Sequence, residues 1–98
     1  MKIVYNACYG GFCGSDLLVE RWNETMPMVK VEDGYELARY RTHPELVELV
    51  EQLGEAASEG LSFLRVAELS DDTTDYTIVE NDGKENIYFV VDGKIFRY

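Results

Sequence analysis

Two stretches of this chain combine residue types and spacings that could do chemistry. The first is Tyr9-Gly10-Gly11-Phe12-Cys13-Gly14-Ser15, three glycines leading into a serine of the helix-capping type. Glycines let backbone approach a ligand closely. A helix start adds N–H groups without intrahelical partners and the positive end of the helix dipole. The segment is therefore a candidate cradle for an anion or a nucleotide phosphate. It is not a Walker loop, because no Gly-Lys-Ser/Thr follows, and it is not Gly-x-Gly-x-x-Gly. The same glycines also suit a sharp strand-to-helix turn in which Tyr9 and Phe12 pack. Cys13 stands where a helix N-terminus would lower a thiol pKa and activate it, although the spacing to His43 implies no Cys-His pair.

The second stretch is acidic. Glu45, Glu48, Glu51, Glu55 and Glu59 fall within residues 44–59, which hold no base at all. Glu48, Gln52, Glu55 and Glu59 follow one another at helical spacing, opposite an apolar row of Leu46, Val50, Leu53 and Ala57. Successive members of such a stripe lie about 6 Å apart along the axis, close to the separation of successive phosphates on one nucleic-acid strand. An acidic stripe of this kind can compete for a cationic nucleic-acid-binding groove, and electrostatic steering would speed the encounter. It also describes an ordinary solvated helix face. Asp71 and Asp72, in a polar turn further on, extend the acidic character.

Composition narrows the classes. Nineteen acids against nine bases give a net charge of −10 over 98 residues, the wrong sign for a direct nucleic-acid binder. Two cysteines, Cys8 and Cys13, and one histidine, His43, are too few for a typical structural zinc site, so no metal or cofactor is expected. No apolar run reaches the roughly 20 residues of a membrane span, and the N-terminus has no signal-peptide pattern. The expected compartment is the cytoplasm, with both cysteines as free thiols. No triad or paired catalytic motif is visible, so an enzyme is not expected.

The elements that must position these residues read as a single α+β domain over residues 1–98. Lys2 to Cys8 alternates with both faces apolar, which suggests a central strand. Ser15 is placed to cap a helix whose buried stripe is Leu18, Trp22 and Met26, stopped by Pro27. Residues 28–40 suggest a hairpin about Asp33-Gly34. Thr42-His43-Pro44-Glu45 has the form of a capping box, opening a second helix that runs to a glycine stop at Gly60. A C-terminal β-meander follows: Phe63–Leu69, then strands about the Asp82-Gly83 and Asp92-Gly93 turns. The expected architecture is a small mixed or antiparallel sheet with the two helices on one face. Tyr35, Tyr40, Tyr76, Tyr88 and Tyr98 are candidates for a contact surface or for half-buried packing.

Together these segments resemble a family of small uncharacterised bacteriophage and prophage proteins. The resemblance rests on the opening Met-Lys-Ile-Val strand with Cys8-Tyr9-Gly10-Gly11-Phe12, on His43-Pro44-Glu45-Leu46-Val47 through Leu53-Gly54, on Leu64 to Glu68, and on Asp82-Gly83-Lys84-Glu85. The family continues Gly-Leu-Ser where this chain has Cys13-Gly14-Ser15. The resemblance implies a phage accessory protein acting in the bacterial cytoplasm and carries no catalytic residue over. Two expectations follow. One is an inhibitor that binds a host defence or nucleic-acid-processing protein through a basic surface on that partner, using the five glutamates with Asp71 and Asp72. The other is a binder of a phosphorylated metabolite or nucleotide at Tyr9 to Ser15, with a homodimer possible.

Overall fold

A computed structural model describes residues 1–98. Strand β1 (Lys2–Asn6) pairs antiparallel with β2 (Leu64–Glu68), with Val4 opposite Val66. Strands β3 (Thr73–Asn81), β4 (Lys84–Val91) and β5 (Lys94–Arg97) form a separate antiparallel sheet in sequence order. Helix α1 is Asp16–Thr25 and helix α2 is Pro44–Leu53. The fold is α+β with a C-terminal meander, as the pattern predicts. The expected sheet is divided, however: Leu64–Glu68 leaves the meander to pair with β1.

The division follows from burial on both faces of β1. Val4, with Leu64 and Val66 from β2, packs toward Leu46 and Val50 of α2 in the main core, which also holds Leu18 and Trp22 of α1. Ile3 and Ala67, on the opposite face, pack with Leu69 and with Ile87 of β4. The two-stranded sheet is thus a middle layer between the helices and the three-stranded sheet. Both hairpins of the meander turn on Asp-Gly pairs with positive φ at both residues, 53° and 88° at Asp82-Gly83 and 51° and 73° at Asp92-Gly93. That geometry matches the right-handed strand twist and favours Gly at the second position.

Three local expectations are corrected. Residues 28–40 form no hairpin; they hold 3-10 turns at Pro27–Val29 and Glu36–Tyr40. The segment is pinned from α1 instead. Trp22 Nε1 donates to the Val29 carbonyl, and the Asn23 side chain bonds both the N–H and the carbonyl of Val31. Asp33 Oδ1 accepts from the N–H groups of Tyr35 and Glu36, so Asp33-Gly34 starts a 3-10 turn rather than joining two strands.

The cap of α2 is His43, not Thr42, with Nδ1 accepting from the Glu45 N–H at 3.1 Å. Pro44 forces the residue before it into extended backbone, which shifts the cap by one position. Finally, α2 ends at Leu53. Gly54 (φ 57°) breaks it, and a 3-10 turn, Gly54–Ala57, carries Ala57 into the core, where its carbonyl accepts the Ser15 N–H at 2.8 Å.

Candidate functional site

Tyr9 to Ser15 lies between β1 and α1, as expected, but other parts of the chain pack into it. A Cβ on Gly10 would meet the Leu61 backbone at 2.5 Å, and one on Gly14 would meet Leu37 Cδ1 at 2.8 Å. Gly34 sits so close that a Cβ there would overlap the Gly14 carbonyl oxygen. From the other side the β3–β4 turn presses in, and a Cβ on Gly83 would overlap the Tyr9 carbonyl oxygen. Phe12 is buried under the Arg41 guanidinium, whose carbon lies 4.5 Å from the ring centre. The N–H groups of Gly14 and Ser15 are bonded to the Gly34 and Ala57 carbonyls, and Ser15 Oγ accepts from Leu18 N–H while donating to the Ala56 carbonyl. The N–H groups of Gly14, Ser15 and Leu18 thus meet the protein's own oxygens, while those of Asp16 and Leu17 in the first turn have no partner within the chain. Gly11 alone keeps open space where a side chain would stand.

Cys13 is not activated. Burial pushes its thiol pKa up, a hydrogen bond from Tyr35 pulls it back, and the Glu59, Asp33 and Asp16 carboxylates push it up further. Burial is the larger cause and the three carboxylates add to it, so the thiol lies above its ordinary range. Both cysteines are free and half-buried.

A network that sequence reading missed locks this region. Arg41 forms a two-pronged ion pair with Glu85, Nη1–Oε1 at 2.8 Å and Nη2–Oε2 at 2.6 Å. Glu85 is nearly fully buried and also accepts the Asn6 N–H at 2.7 Å. Arg41 Nη1 donates to the Val4 carbonyl, and the Val4 N–H donates to the Arg41 carbonyl. The outer edge of β1 is therefore closed by side chain and backbone together. The Asn6 side chain donates to the Gly83 and Cys8 carbonyls and accepts from Phe63 N–H. The sequence did carry a clue: Glu85 falls in phase with Ile87 and Phe89, the inward row of β4.

The acidic residues meet a different environment. Glu48, Glu51, Glu55 and Glu59 are exposed, and Glu45 is half-buried beside the His43 cap. Glu48 and Glu51 line an open cleft with Lys2, Thr42, Pro44 and Val47. Glu51 and Glu55 line a second cleft against β2. These three carboxylates are thus neighbours along one side of the molecule. The break at Gly54 takes both Glu55 and Glu59 off the helix, so the expected continuous stripe ends at Gln52, with Glu55 following in the 3-10 turn. Lys2 Nζ lies 3.1 Å from Glu51 and 3.9 Å from Glu68. Asp71 and Asp72 lie in the β2–β3 turn, exposed, with Asp71 3.4 Å from the terminal ammonium.

No three His, Cys, Asp or Glu side chains gather in a metal-binding group, and no helix is long and apolar enough to cross a membrane. The chain matches no protein-family model, no curated protein and no solved structure with significance.

Proposed function

We propose that this chain is a small acidic binding protein of the phage accessory type. In the bacterial cytoplasm it occupies a basic surface on a host defence or nucleic-acid-processing protein and inhibits it. The observation that carries this reading is the run of exposed carboxylates at Glu48, Glu51 and Glu55, adjacent along two open clefts and met there by Lys2 and Arg65 alone, in a chain of net charge −10. A basic nucleic-acid-binding groove is built to receive negative charge at regular spacing, and these side chains supply it without a nucleic acid. The glycine loop has less support, because other parts of the chain fill the space beside Gly10 and Gly14 and the chain's own oxygens take the N–H groups of Gly14, Ser15 and Leu18.

The test is capture of partners from bacterial lysate by wild-type protein and by the Glu48→Lys, Glu51→Lys, Glu55→Lys triple variant. Exposed positions of this kind change folding stability by no more than about 1 kcal/mol. The expected result is a stoichiometric partner held by wild type at low salt, released at high salt where screening shortens to about 3 Å, and lost by the folded triple variant. Equal capture by both proteins would end the electrostatic reading.

A further inference from the structure

The two edges of the central β1–β2 sheet differ. The edge of β1 is closed by Arg41 and Glu85. On β2, the hydrogen bonds flanking the strand run from Ala7 N–H to the Phe63 carbonyl and from Leu69 N–H to the Met1 carbonyl. By antiparallel alternation Arg65 and Ala67 face β1, while Leu64, Val66 and Glu68 direct their backbone groups away from it. Leu64 N–H is held by Ser58 Oγ at 2.7 Å. The N–H and carbonyl groups of Val66 and Glu68 have no partner within the chain.

A cleft of about 480 Å³ runs beside this strand, lined by Phe63, Leu64, Arg65 and Val66 on one wall and by Val50, Glu51, Gly54 and Glu55 on the other. Leu64, Arg65 and Val66 are consecutive in β2 and point to alternate faces of the sheet, so all three can line one cleft only if it follows the strand's edge. Its floor is apolar and its helix wall is acidic.

We propose that the free edge of β2 takes up an extended, lysine- or arginine-bearing segment of a partner protein as an added strand. This rests on the acidic-binding reading above and gives it a mode. Backbone groups of Val66 and Glu68 complete the new ladder, apolar side chains of the guest lie on the half-buried Val66, and its cations face Glu51 and Glu55. A second copy offering its own β2 is disfavoured, because Glu51, Glu55 and Glu68 would meet the same carboxylates across the junction.

The probe is a short blocked peptide alternating lysine and valine, compared with its counterpart N-methylated at every second residue, with amide exchange read by NMR. The free protein should show fast exchange at Val66 and Glu68 and slow exchange at Arg65 and Ala67. The unmodified peptide should protect Val66 and Glu68, and the N-methylated one should bind about tenfold more weakly, the equivalent of one or two net hydrogen bonds. Val66→Pro, which removes an N–H that serves no internal ladder, should weaken the peptide similarly. Glu51→Gln with Glu55→Gln serves where that variant does not fold.

Equal binding of both peptides, no binding of either, or a complex in which Val66 and Glu68 still exchange fast overturns strand addition. None of these touches the lysate capture, on which the acidic reading stands or falls separately. Protection of the same amides that rises with protein concentration, without peptide, would assign the edge to a second copy and overturn the proposal too.

Discussion

The loop Tyr9–Ser15 and the side formed by α2 with β2 pose the same question and give opposite answers. Both combine features that recognition sites use, glycine with a helix start in one and aligned charge in the other. In the loop, Leu61, Gly34 and Gly83 occupy the space the glycines leave, and the Gly34 and Ala57 carbonyls take the N–H groups of Gly14 and Ser15. Beside α2, clefts stay open, carboxylates stay solvated and a strand edge stays unpaired. A missing Cβ marks a close approach; whether a ligand or the chain itself approaches is decided by residues far away in sequence.

The contrast breaks most sharply at the closed region. Gly34→Ala forces a Cβ into the Gly14 backbone, which nothing flexible can relieve, and should cost about 3 kcal/mol or more or prevent folding. Gly93→Ala, with positive φ but open space around it, should cost about 1 kcal/mol. Urea unfolding of the two variants measures the difference, and equal losses would mean that packing against Gly14 does not matter.

Next is the clasp behind the loop. Glu85→Gln or Arg41→Leu leaves a buried partner uncompensated and should lower unfolding free energy by about 3 kcal/mol. The double replacement by apolar residues should recover part of that loss. A smaller effect sharpens the comparison chemically. Because the Cys13 pKa is raised in the folded protein, its alkylation should be slow near neutral pH. It should accelerate only at a pH above that at which the same cysteine reacts in the unfolded chain. A Cys13 that reacts faster folded than unfolded would restore the activated-thiol reading.

Local chemistry made much of this legible. The Ser15 cap, the Leu18–Trp22 stripe, the Pro27 stop and both Asp-Gly turns depend on near neighbours, and all stand as the sequence predicts. Non-local partners were not legible. Asp33-Gly34 has the residues of a hairpin turn, yet Gly34 is required because Gly14 lies against it. The second helix carries its apolar spacing through Ala57, yet Gly54 ends it, and Ala57 reaches the core through a different backbone. The Arg41–Glu85 pair spans 44 positions and joins segments with no common periodicity, so only the inward phase of Glu85 hinted at it. For the candidate site, the identity of Glu48, Glu51 and Glu55 was visible beforehand. The clefts they line depend on β2 folding back beside α2, which no local pattern encodes.

The most direct test is amide hydrogen exchange on the protein alone and in complex with the partner recovered from lysate. Protection should appear in residues 45–55 and 64–68, with Val66 and Glu68 changing from fast to slow, and Tyr9–Ser15 should exchange as before. Protection confined to Tyr9–Ser15, with α2 and β2 unchanged, would contradict the account and return the function to the glycine loop.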